Sequence, residues 1–144
     1  MPGRELADFL TFAKKLWKIY DKNGKLVPFV PNPAQTLMLH ALEQQKAAGK
    51  PGRLRVLKYR QAGSSLLWSL YLLHQTIIRS GLTSLSIADK GDLPAQWLRR
   101  CKILLGQIRD GMDIGPTETA SSINEIYFRE LGSRYYIGSA EGTT

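Results

Sequence analysis

Lys58-Tyr59-Arg60-Gln61-Ala62-Gly63-Ser64-Ser65 separates a strand-like run, Leu54-Arg55-Val56-Leu57, from a strongly apolar helix, and its reading decides the fold. It has the frame of a phosphate-binding loop, G-x-x-x-x-G-K-[ST], with two exchanges: Lys58 replaces the first glycine and Ser64 the lysine. The physical requirements survive. The loop ends at a helix N-terminus, where backbone N–H groups and the helix dipole favour an anion. Gly63 permits close backbone approach, Ser65 offers a hydroxyl to Mg²⁺, and Lys58 can fold back to supply the cation.

Upstream, Leu6, Phe9, Leu10, Ala13, Leu16, Trp17 and Tyr20 recur at helical spacing, with Lys14, Lys15 and Lys18 off the stripe. Asp21-Lys22-Asn23-Gly24-Lys25 has turn chemistry and leads into an extended piece, Leu26 to Val30. A second helix is expected from Asn32-Pro33 to about Ala48, broken by Gly49-Lys50-Pro51-Gly52 before a strand at about Arg53 to Lys58. Downstream, the helix from Ser65 to about Arg79 is apolar on nearly every face, which predicts burial. A strand follows at Leu82 to Ala88. A helix beginning at Asp92 and Pro94 carries the stripe Trp97, Leu98, Cys101, Leu104, Leu105 and Ile108. A hairpin is expected from Glu125–Leu131 and Arg134–Ile137, turning at Gly132-Ser133. Strand, loop, helix, strand, helix is the order of a parallel α/β unit, with the loop at the carboxyl end of its first strand. The expected division is residues 1–31, a helix and turn, and residues 32–144, a partial P-loop NTPase-like domain with a parallel sheet flanked by helices.

The 144 residues and 43% hydrophobic content suit a globular chain. No apolar run is long enough to span a bilayer, and no secretory signal is evident. A single cysteine excludes an internal disulfide, and its place in a helical stripe marks Cys101 as a core residue. The net charge of +8 is uneven: residues 1–60 carry 12 basic and 4 acidic side chains, residues 61–144 carry 8 of each. Contact with a polyanion such as DNA, an acidic partner, or a solvated basic face each fits this asymmetry. His40 and His74 have no second ligand at metal-binding spacing, and Trp68 and Trp97 are expected in the core.

Lys58-x-Arg60-Gln61-x-Gly63-x-Ser65, with Asn32-Pro33-x-Gln35 upstream, resembles the N-terminal ATPase region of phage terminase large subunits, the motors that drive viral DNA into capsids. The similarity extends to Asp21-x-x-Gly24-x-x-Val27-x-Phe29, to the strand ending Ile87-Ala88-Asp89, and to Gly132-Ser133-x-x-x-Ile137-Gly138-Ser139-Ala140, so it covers about residues 20–144. The resemblance implies ATP and Mg²⁺ as cofactors. Lys58 would be the loop lysine, and Arg60 the arginine that stabilises charge on the transferring phosphate. Gln61, Gly63 and the N–H groups of Ser64 and Ser65 would surround the phosphates, the Ser65 hydroxyl would meet Mg²⁺, and Gln35 would read the adenine edge. It further implies double-stranded DNA, a portal protein and a small terminase subunit as partners, a homo-oligomeric ring, and work in the cytoplasm of a bacterial host, docked transiently on the procapsid.

Each residue also has a plainer reading. Asn32-Pro33-Ala34-Gln35 fits a capping box, Lys58 fits a solvated strand end, and Arg60 fits a pair with a nearby carboxylate. Phosphoryl transfer needs an acid for Mg²⁺ and a carboxylate to orient water, normally on an apolar strand ending Asp-Glu, and no such strand is found. In the family that strand follows the segment matching Gly138 to Thr144, so binding without turnover is expected. Two alternatives stand beside this: another DNA-dependent P-loop ATPase, such as a helicase or recombination motor, or a non-catalytic nucleotide- or DNA-binding remnant.

Overall fold

A computed structural model describes residues 2–57, 63–88, 93–111, 120–121 and 124–140. Tertiary contacts gather into two units, residues 1–68 and 69–144. The expected boundary at residue 31 thus falls inside the first unit. All the excess positive charge lies in that unit, because residues 61–68 carry no charge.

In the first unit, α1 (Pro2–Leu16) is followed by a hairpin of β1 (Lys18–Tyr20) and β2 (Leu26–Pro28), then α2 (Pro33–Ala47). α1 packs against α2 and β2. Phe9, Ala13 and Trp17, spaced by four, are fully buried, as are Phe29 and Leu39. The helical stripe was expected to reach Tyr20, but the helix ends at Leu16 and Tyr20 is 74% exposed on β1. The turn wins locally. The Asp21 carboxylate accepts the N–H groups of Asn23 and Lys25, each at 2.9 Å, and Gly24 takes φ +74°, which favours glycine. Lys18 then pairs with Pro28 and Tyr20 with Leu26.

Residues 51–57 form no strand, which corrects the strand expected before the loop. A strand needs a partner for its backbone, and here a side chain takes that place: the Gln45 amide donates to the Arg53 carbonyl and accepts the Arg53 N–H. Leu57 is fully exposed and Val56 is 41% exposed, so this apolar run joins no core.

α3 (Ser64–Ile78) begins in the first unit and continues into the second. The second unit adds β3 (Thr83–Ala88), α4 (Leu93–Gly111), β4 (Ala120–Ser121), β5 (Glu125–Phe128) and β6 (Ser133–Ser139). Their sheet runs β3-β6-β5-β4, parallel only between β3 and β6 and antiparallel elsewhere. The chain is therefore mixed α/β, and the expected parallel sheet is a small mixed one. α4 packs on β3 and β6. Thr76 of α3 bonds Ser84, and Cys101 of α4 lies beside Tyr135, so both helices cover the face carrying Ser84, Tyr135 and Ile137. The opposite face shows Leu85, Ile87 and Tyr136 to solvent, so among the described residues helices cover one side only.

The hairpin turns at residues 129–132, not at Gly132-Ser133. Gly132, at φ +65°, donates its N–H to the Phe128 carbonyl. Ser133 belongs to the strand: it is fully buried, and its hydroxyl accepts the Leu82 N–H and donates to the Arg79 carbonyl. Trp68 and Trp97 are half-buried, not enclosed as expected.

Candidate functional site

The site is built on Gly63, the residue before α3. Its φ of +79° lies in the left-handed region, and its carbonyl accepts two N–H groups, from Leu67 at 3.0 Å and from the Gln35 side chain at 2.9 Å. The first of these opens α3; the second ties Gly63 to α2.

Gln35 reaches Gly63 because of how α2 begins. Asn32 caps that helix, its Oδ1 accepting the Gln35 N–H at 2.8 Å, with Pro33 at the first helical position. Gln35 answers with its Oε1, which accepts the Asn32 N–H at 2.9 Å and completes the capping box. With the oxygen committed to Asn32, the amide nitrogen faces Gly63. The orientation is fixed, since only a nitrogen can donate to the Gly63 carbonyl. Gln35 is 4% exposed. The capping reading is thus realised, and the side chain is held at both ends.

A side chain at position 63 has no room. A Cβ there would stand 2.6 Å from Gln35 Nε2 and 3.5 Å from Asn32 Nδ2. Glycine is required twice, by the backbone angle and by the amide pressed against it.

Ser64 and Ser65 open α3. Ser64 is buried and Ser65 exposed, and the first turn contains no acidic residue. The positive end of the helix dipole is therefore not neutralised by a carboxylate of its own first turn. Gln35, Gly63, Ser64 and Ser65 are brought together, whereas Lys58, Arg60 and Gln61 lie outside the described residues, as does Asp89. The Gln35–Gly63 bond had no signal in the sequence: it joins positions 28 apart.

Among the described residues, no three His, Cys, Asp or Glu side chains form a group that could hold a metal ion. Glu125, on β5, lies 3.5 Å from Arg134, whose guanidinium sits 5.2 Å from the Tyr127 ring centre. That arrangement makes Glu125 a cross-strand partner on the sheet.

A second polar cluster, which sequence reading missed, lies inside the second unit. The Tyr135 phenol bonds the Ser86 hydroxyl at 2.7 Å and also Ser69, and Cys101 is its neighbour. Burial, reinforced by Cys101, pushes the phenol up to about 12 against the pull of the two hydroxyls. Burial likewise pushes the Cys101 thiol up to about 12, opposed by Arg100, so it is a packed and unreactive sulfur.

No protein-family model matches the chain, and a search of curated proteins finds no match to it. Among the described residues no helix is long and apolar enough to cross a membrane.

Proposed function

We propose that this chain is the ATP-binding part of a viral DNA-packaging motor of the terminase large-subunit kind, with the P-loop NTPase-like architecture which that implies. The observation that carries the reading is the Gly63 junction: a left-handed glycine at the mouth of a helix, with two serines and no acid in the first turn. This is the arrangement that receives a phosphate on backbone N–H groups. The sequence around it supplies Lys58 as the cation, Arg60 to stabilise charge on the transferring phosphoryl group, and Gln61 beside them.

Gln35 contributes by tying the Gly63 carbonyl to the start of α2, which fixes the junction from which α3 begins. Adenine contact at Gln35 would have to use its second amide hydrogen or oxygen lone pair on a side chain that is 4% exposed and bonded at both ends. For Mg²⁺ the described residues offer the Ser65 hydroxyl, which fits a cation that takes its other oxygens from phosphates and water. When bound, the ion would neutralise phosphate charge. In the full motor, hydrolysis would drive double-stranded DNA into the procapsid from a ring docked on the portal, with the small terminase subunit as partner, in the host cytoplasm.

Binding of a fluorescent ATP analogue to the chain and to Lys58→Ala tests this. Weak, Mg²⁺-dependent binding that the variant loses is expected, without turnover. Equal binding by both refutes it. The missing strand at residues 51–57 favours a second reading, a non-catalytic remnant that has lost nucleotide, and equal, negligible binding would select it.

A further inference from the structure

We propose that the β1–β2 hairpin is a contact surface for the sugar-phosphate backbone of double-stranded DNA. The proposal takes its partner from the reading above but uses none of the nucleotide-site residues. The hairpin has one outward face. Lys18 and Pro28 stand side by side on it, as do Tyr20 and Leu26, and all four are exposed. Ile19 and Val27 turn the other way and are half-buried. Exposed Lys22 and Lys25 flank the tip, and exposed Lys14 and Lys15 close α1 just before the ribbon.

Five lysines therefore fall within residues 14–25 against one acid, Asp21. That acid is committed to the turn, where its carboxylate accepts two backbone N–H groups. It shapes the tip that presents the lysines. Charge complementarity calls for a polyanion. All five are lysines. Point charges on flexible stems suit sequence-independent phosphate contact. A two-stranded ribbon also has the width that a DNA major groove admits. Tyr20, 74% exposed beside Leu26, gives the face a flat aromatic surface to lay against sugar or backbone.

The test is fluorescence anisotropy of a labelled 30-base-pair duplex with the whole chain, in potassium chloride from 50 to 200 mM. Each phosphate contact contributes about 0.9 to the slope of log affinity against log salt. Lys22→Gln/Lys25→Gln is expected to lower the slope by about 2 and to weaken binding ten- to a hundredfold near 0.1 M salt. The turn is built from the backbone and Asp21, so an unchanged circular dichroism spectrum is expected. Lys46→Gln/Lys50→Gln removes the same charge from the far end of α2 and should change the slope much less. Equal losses from both pairs, or none from the hairpin pair, would overturn the proposal. So would polyglutamate competing as well as duplex at equal charge, or a stronger preference for single-stranded DNA. Absence of any duplex binding overturns it too, while Lys58-dependent ATP binding would still stand by itself.

Discussion

Gln35 and Gly63 should be energetically coupled, and the size of the coupling follows from their geometry. Gln35→Ala removes two side-chain hydrogen bonds, to the Asn32 N–H and the Gly63 carbonyl. At about 1 kcal/mol each, offset by the few tenths that alanine gains in a helix, the loss is about 2 kcal/mol. Gly63→Ala meets two obstacles. The left-handed angle costs a non-glycine residue about 1 kcal/mol, and the new Cβ, 2.6 Å from Nε2, must drive the Gln35 amide from its place. That displacement forfeits much of what Gln35→Ala forfeits, so the single variant should lose about 2–3 kcal/mol. In the double variant the amide is already gone, and only the backbone angle remains to be borne. It should lose about 3 kcal/mol, less than the sum of the singles by 1 kcal/mol or more. Urea unfolding of the four proteins measures this. Losses that add within about 0.5 kcal/mol would show that the two residues do not touch as described.

Two further outcomes concern the second unit. Tyr135 and Cys101 both have raised pKa values in the fold, about 12 against 10.0 and 9.0, so their neutral forms stabilise it fully at pH 8. As pH rises, the unfolded chain ionises first, and each group should remove roughly 1.4 kcal/mol per pH unit until the folded groups ionise. Urea unfolding between pH 8 and 11 should show this decline flattened in Cys101→Ala/Tyr135→Phe; an unaltered slope would contradict the assignment. Thr76, fully buried, places its hydroxyl between the Leu72 carbonyl and Ser84 Oγ. Thr76→Val should cost about 1–2 kcal/mol in the same assay, and much less in a Ser84→Ala background, because Ser84 no longer leaves a buried hydroxyl without its partner.

Features written in short-range chemistry were legible in the sequence. Asn32, Pro33 and Gln35 announced a helix start that the structure realises bond for bond, and Asp21 and Gly24 announced the turn. The strand ending at Ala88 and the stripe of Leu98, Cys101, Leu104 and Leu105 were equally plain, although β3 turns its apolar Leu85 and Ile87 to solvent and buries Ser84 and Ala88. What failed depended on partners. Tyr20 continued a helical spacing that the hairpin cut short, and Leu54 to Leu57 had a strand's composition but pair with no strand among the described residues. At the candidate site, the glycine and serines could be named in advance. The amide that holds the glycine could not, because a hydrogen bond between distant positions leaves no local pattern.

The pairing of β3 with β6 has a consequence in time. Leu82 meets Ser133 across 51 residues, so β3 leaves the ribosome well before its neighbour exists. At about 5–20 residues per second, the wait is roughly 3–10 s. The first unit, whose helix pair and hairpin are made from nearby segments, can close within that interval. β3 meanwhile offers an uncharged strand, Thr-Ser-Leu-Ser-Ile-Ala, with neither edge covered. The newborn chain is thus at its stickiest between the emergence of β3 and that of β6, after the basic first unit has folded and before the charge-balanced second unit can.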